Sequence, residues 1–188
     1  MSTPLPALAV AGIGLMGLPM TQRLLAAGYP LTVWNRSADK CAPVQALGAQ
    51  VAAQPSALCA AADIVMLCLA NTDVVREVVF GPGGIVETGK PGQLLVDFSS
   101  LEPAATREMA AELHRHCGMH WVDAPVSGGI PGVEAGTLAI MTGGSETHMP
   151  EAEAAMRAYL VTGAHLAAMK AFHGIATGRT VGFLTEAA

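Results

Sequence analysis

The sequence predicts an α/β protein: a doubly wound, mostly parallel sheet with helices on both faces. Three observations lead there. Short apolar runs alternate with helix-patterned stretches throughout the 188 residues. Apolar residues make up 52% and charged residues 13%, a balance that suits strands buried on both faces and excludes a disordered chain. The first apolar run, at 8–11, leads through Gly12, Gly14 and Gly17 into a helical pattern.

Run, glycines and helix follow the order of a dinucleotide-binding βα turn, with the spacing G-x-G-x-x-G. Gly12 permits the tight turn, Gly14 lets a pyrophosphate approach the backbone, and Gly17 lets helix and strand pack closely. The helix N-terminus offers free N–H groups and a positive dipole end to the phosphates. A glycine turn without a ligand would show the same spacing. The helix places Met20, Leu24, Leu25 and Ala27 on one side and breaks at Gly28-Tyr29-Pro30.

Leu31-Thr32-Val33-Trp34 predicts a second strand, whose tip is Asn35-Arg36-Ser37. An acid at this tip would accept from an adenine ribose 2′-OH and repel a 2′-phosphate. Here Arg36 offers a planar cation suited to phosphate, and Asn35 and Ser37 add donors. The expected cofactor is NADP, with NAD possible. Ser37 also reads as the N-cap of a following helix, and both roles can hold together.

A helix is expected over 38–47 despite Pro43, then a weak strand at Val51 and a short helix over 55–62. A buried strand follows at 63–69, with Asn71 or Thr72 capping a helix over 73–80. The loop Gly81-Pro82-Gly83-Gly84 precedes a strand at 94–98, which ends at Ser99-Ser100. Pro103 opens a helix to about Cys117, with apolar positions at Met109, Ala110, Leu113 and Cys117. A strand at 119–122 comes next. The strand ends carry small polar residues (Asn35, Asn71, Ser99, Ser100), and ligands of such sheets bind outside those ends.

Asp123-Ala124-Pro125-Val126-Ser127-Gly128-Gly129 supplies a hydroxyl at Ser127 and unscreened N–H groups at Gly128 and Gly129. This set suits a substrate carboxylate; it also reads as a glycine-rich hairpin into 137–141.

Four ordered stretches, G-I-G-L-M-G-L-P-M, N-R-S, D-F-S-S and D-A-P-V-S-G-G with G-T-L-A-I-M-T-G-G, together resemble the β-hydroxyacid dehydrogenase family. That family includes 3-hydroxyisobutyrate dehydrogenase and glyoxylate/succinic semialdehyde reductase. The likeness runs over 8–144, with a weaker tail to Glu186. It implies a Rossmann-type dinucleotide-binding domain at 1–162 and, at 163–188, the start of a long interdomain helix, the usual all-helical second domain being missing.

The resemblance also implies roles. Gly12, Ile13, Gly14, Leu15, Met16 and Gly17 would hold the pyrophosphate, and Asn35, Arg36 and Ser37 match NADP-preferring members. Leu69 and Ala70, with Asn71 beside them, would pass along the cofactor, and Ser100 would sit near the nicotinamide ribose. Ser127, Gly128 and Gly129 would anchor substrate, with Ser127 and Lys170 as catalytic residues. Oxidising an alcohol requires proton loss from oxygen, which a lysine of lowered pKa can accept. His173 and Gly174 stand where the family has two asparagines, and Lys170 also reads as a solvated lysine on an alanine-rich helix.

The implied function is hydride transfer between NADP(H) and a small 3-hydroxy acid or its semialdehyde or oxo acid. The alternative is an NADP-binding module without turnover. An imine reductase would share the glycines and a similar second-strand tip, but D-A-P-V-S-G-G and Lys170 argue against it.

A formal charge of −5 with no Lys/Arg cluster excludes nucleic acid as an expected partner. Cys41, Cys59, Cys68 and Cys117 form no C-x-x-C pair and read as buried thiols of a reducing, cytoplasmic compartment. The start lacks Lys and Arg and carries Pro4 and Pro6, so neither a signal peptide nor a membrane span is expected. His114 and His116 flank Arg115 on one helix and cannot face one direction, so no metal is expected. The final apolar helix is expected to pack against another copy, giving a homo-oligomer.

Overall fold

The computed structural model describes residues 5–145, 147–156 and 181–184. Its centre is a run of parallel strands: β1 (Leu8–Ala11), β2 (Leu31–Trp34), β3 (Gln50–Val51), β4 (Ile64–Leu67), β5 (Leu94–Asp97) and β6 (His120–Asp123). They lie side by side as β3-β2-β1-β4-β5-β6. The chain builds outward from β1 on one side, then crosses back and builds outward on the other. The order therefore reverses between β1 and β4, and the loops leaving those two strands diverge to leave a crevice.

Period-two alternation sorts the strand residues between two layers. Leu8, Val10, Ile64, Met66, Leu94, Val96 and Val122 face a core shared with Met20 and Leu24 of α1 (Gly17–Ala26) and Val44 of α2 (Ala42–Gln45). Ala9, Ala11, Val65, Leu67, Leu95 and Trp121 face the opposite core. That core holds Leu58 of α3 (Ser56–Ala61), Val75 and Val79 of α4 (Thr72–Phe80), and Met109 and Leu113 of α5 (Pro103–Cys117). β1, β4 and β5 are buried along their whole length, as unbroken apolar runs require of strands covered on both faces. Asn71 is the residue that caps α4: its Oδ1 accepts from the Val74 N–H at 3.0 Å.

Three segments differ from the sequence expectation. The helix expected over 38–47 is a 3-10 turn at Ala38–Cys41 followed by the short α2. Pro43 has no N–H to continue a helix from 38, so α2 restarts with the proline in its first turn, where none is needed. The glycines at 128–129 do not make a simple hairpin. After β7 (Val126–Ser127), α6 (Gly129–Ala135) intervenes before β8 (Ala139–Gly143). Pro125, lacking an N–H, separates β6 from β7, and its carbonyl accepts from the Met141 N–H at 3.0 Å.

The third difference follows α7 (Met149–Met156). The helix expected over 163–188 does not extend through its end: β9 (Val181–Leu184) is a strand antiparallel to β8. β6 and β7 occupy one edge of β8, so the other edge was open, and the β-branched and aromatic Val181-Gly182-Phe183-Leu184 completes its ladder. Residues 157–180, including Lys170, and 185–188 lie outside the described residues. Among the described residues no helix is long and apolar enough to cross a membrane.

Candidate functional site

The three glycines of the first turn do different work. Gly12 has φ +105°, and a Cβ there would collide with the Cys68 carbonyl. At Gly17 a Cβ would collide with the Gly12 carbonyl. Both positions are closed by the protein's own backbone, which brings β1, β4 and α1 together at this corner. Gly14 is the opposite case: a Cβ there meets nothing within 4 Å. Its bare backbone faces a cleft of about 320 Å³ at the β1/β4 reversal, lined also by Gly12, Arg36, Ser37, Leu69 and Ala70. Internal packing does not require a glycine there, and its bare backbone leaves room for a ligand to approach closely.

The loop at the tip of β2 is tied to the glycine turn. The Ile13 N–H donates to Asn35 Oδ1 at 2.9 Å, while Asn35 Nδ2 donates to the Ser37 carbonyl at 2.9 Å. Asn35 lines the cleft, yet its amide is spent on holding the two loops in register. Ser37 stands at the cap position of the 3-10 turn but makes no capping hydrogen bond, so its hydroxyl is not committed there. Arg36 and Ser37 line the cleft, and so does Lys40, which the sequence reading left out. Its signal was the short step from Arg36, since a 3-10 turn brings residues 37 and 40 to one side. The other wall is apolar, from Pro55, Val74, Val78 and Pro82, with Glu77 among them.

Several expected residues lie elsewhere. Ile13 is buried in the core, and its N–H is given to Asn35. Leu15 is 81% exposed, and Met16 packs against the core. Gly17 supports Gly12 from below. Asn71 caps α4, and neither it nor Ser100 lines the cleft. Ser127, Gly128 and Gly129 are exposed beyond the end of β6, on the edge that also carries the cleft but outside its lining.

Behind the cleft a relay connects adjacent strand ends. The Leu69 N–H donates to Ser99 Oγ at 2.9 Å, and the Ser99 N–H donates to Asp97 Oδ1 at 2.9 Å. Asp97 is fully buried, and burial pushes its carboxyl up to about 7 against the pull of Ser99. Asp123, its partner in the ladder, is pushed up to about 7 by burial and then by Asp97. Burial likewise raises the Cys68 thiol to about 11, which makes it a poor nucleophile although it touches the cleft. The sequence reading missed this acid pair; the signal was an Asp closing each of two apolar runs.

The family described as the NAD binding domain of 6-phosphogluconate dehydrogenase matches residues 7–166. The chain belongs to this family. A Rossmann-type NAD binding domain fits the cleft found at the strand reversal, where the backbone of Gly14 lies open. A 2-(hydroxymethyl)glutarate dehydrogenase of Eubacterium barkeri is 42% identical over 135 residues, 72% of this chain and 44% of its own length. A solved 3-hydroxyisobutyrate dehydrogenase of Mycobacterium tuberculosis with L-serine aligns at TM-score 0.77 and 30% identity, covering 84% of this chain and 53% of that one. A complex of Psf3 with NADP+ and 2-OPP aligns at TM-score 0.78 and 28% identity, covering 82% of this chain and 54% of that one. The chain spans about half the length of these relatives.

Proposed function

We propose that this NAD binding domain takes NADP(H) in preference to NAD(H) and forms the cofactor half of a dehydrogenase of small 3-hydroxy acids. The observation that carries the cofactor reading is the β2 tip: Arg36, Ser37 and Lys40 line the cleft there, and no acid stands at 35–37. Two cations and a hydroxyl suit a 2′-phosphate, whereas a ribose 2′-OH calls for a carboxylate. Gly12, Gly14 and the N-terminus of α1 hold the pyrophosphate. The apolar wall of Pro55, Val74 and Val78 receives the adenine, and Leu69 and Ala70 border the path toward the nicotinamide.

A bound nicotinamide supplies or accepts the hydride. The chain's own residues supply orientation and the proton. Ser127 and the N–H groups of Gly128 and Gly129 hold the substrate carboxylate, and Ser100 borders the nicotinamide ribose. Lys170 takes the hydroxyl proton in oxidation and returns it in reduction. The dehydrogenases among the relatives support this reading.

Titrating NADPH and NADH by fluorescence tests the cofactor assignment. NADPH is expected to bind at least about tenfold tighter, and Arg36→Ala to abolish most of that preference, in line with the loss of one charge-assisted phosphate contact. Equal affinities in the parent protein would overturn it. The proton role is tested by turnover on 3-hydroxyisobutyrate and succinic semialdehyde. Lys170→Ala is expected to lower the rate by about 10² while NADPH affinity stays unchanged. Activity that survives the substitution would place the chemistry on another residue, and NADPH binding without turnover in the parent would favour a cofactor-binding module.

A further inference from the structure

Asp97 and Asp123 close adjacent parallel strands and are register partners in the ladder. Each stands two residues beyond an apolar neighbour, Leu95 or Trp121, in the core on the α5 side, so both carboxyls point to that same face. Parallel neighbours lie about 5 Å apart across the sheet, within reach of one hydrogen bond between short side chains. Asp97 is fully buried and Asp123 nearly so. Asp97 Oδ1 accepts from the Ser99 N–H, but Oδ2 has no partner among the described residues.

Two bare carboxylates cannot sit this way. A buried acceptor without a donor is costly, and a second negative charge beside it makes it more so. Among the described residues, the charged groups of α4 and α5 near the pair lie at the surface or in pairs of their own. Just after β4 stands the Cys68 thiol, which burial and then Asp97 push up. α4 carries Asp73 and Glu77 exposed, and its Arg76 is engaged by Glu108 and Glu112 of α5 at 3.3 Å each. Glu102 and Arg107, at and near the start of α5, are exposed to solvent. A proton held between the two carboxyls would give Asp97 Oδ2 the partner it lacks.

We propose that Asp97 and Asp123 are positioning residues that share one proton, and that this O–H···O bond clamps the ends of β5 and β6 beneath the nicotinamide end of the cofactor cleft. The clamp acts through bonds already described. Asp97 holds Ser99, and Ser99 holds the Leu69 N–H, which borders the cleft. Asp123 leads directly into the loop of Ser127, Gly128 and Gly129. Losing the shared proton sets two carboxylates against each other and loosens both loops together. The inference rests on the reading that the cleft binds a nicotinamide dinucleotide.

Carbon-13 NMR of the carboxyls in the free protein reads the pair directly. The pair is expected to titrate in two coupled steps, with its last proton leaving near neutrality or above. Two carboxyls titrating near pH 4 would overturn the shared proton. NADPH affinity reads the positioning role. It is expected to weaken about fivefold between about pH 7 and pH 9, above the range in which the 2′-phosphate itself titrates. Asp97→Ala is expected to weaken binding at both pH values. Asp97→Asn keeps the acceptor for Ser99 and donates an N–H to Asp123 in place of the proton. It is expected to restore binding and to remove the pH dependence. Asp123→Asn, which donates in the other direction, serves if the alanine variant fails to fold, and it too should be flat with pH. An asparagine variant with the parent's pH dependence would overturn the clamp. No NADPH binding at any pH would overturn the cofactor reading and the positioning role with it, and the NMR titration would still decide the shared proton.

Discussion

Alanine at Gly17 is expected to unfold the domain or come close to it, while alanine at Gly14 leaves the melting temperature unchanged and abolishes tight cofactor binding. The contrast follows from what each missing Cβ would meet. At Gly17 it would enter the Gly12 carbonyl, and the obstacle is backbone that cannot rotate away. Relief requires moving α1 off the sheet, which uncovers Met20 and Leu24, both fully buried against β1. Overpacking into a flexible core costs about 1–3 kcal/mol, and a rigid obstacle pushes the loss to 4–5 kcal/mol or beyond. Gly12→Ala should be as damaging, because the collision with Cys68 adds to the strain of an L-residue at φ +105°. Gly14→Ala meets open space, so its cost appears only when phosphate oxygens arrive. Thermal melts of the three variants beside NADPH titrations check this. A Gly14→Ala protein that melts early, or that binds normally, would show that this glycine serves packing or nothing.

Asp97→Asn is expected to stabilise the protein at pH 8 by roughly 4 kcal/mol and to have little effect near pH 4. An unfolded Asp titrates near 3.8, whereas burial carries the folded Asp97 up to about 7. Between those values the native state holds a proton that the unfolded chain has released. Native stability therefore falls as pH rises through that window, and the loss is complete above the folded value. Asn cannot ionise, keeps the acceptor for the Ser99 N–H, and escapes the penalty. Urea midpoints of parent and variant at pH 4, 6 and 8 read the contribution of the Asp97–Asp123 pair, because the titrating groups outside that pair are common to both proteins. Parallel pH profiles would mean that Asp97 titrates in the folded state as it does in the unfolded one. The expected gain is also a reason to regard the buried acid as functional, since an asparagine would give a more stable domain.

The sequence by itself determined the order of elements through β6 and the location of the cleft. Both follow from local signals. Buried parallel strands must be apolar throughout, the helix after Gly17 must carry an apolar stripe, and three glycines between strand and helix leave few alternatives to a tight turn. The β2 tip was equally legible, because charge at a strand end needs no tertiary contact to be noticed. Local pattern misjudged 38–47, where Pro43 outweighed helix propensity, and 181–184, where an alanine-rich surrounding concealed a segment that pairs with the free edge of β8.

Only the tertiary structure decided which side chains are free for a ligand. Asn35 looked like an available amide, but its Oδ1 is taken by the Ile13 N–H, which ties the glycine turn to the tip of β2, because a buried N–H must find an acceptor. Lys40 joined the cleft through the path of a 3-10 turn, and the obstacles at Gly12 and Gly17, the Cys68 carbonyl for one and the Gly12 carbonyl for the other, exist only in the packed corner. The pairing of Asp97 with Asp123 was hidden for the same reason. The two residues are 26 positions apart in the chain and become neighbours when β5 and β6 align in register, so no spacing rule along the sequence could bring their charges together.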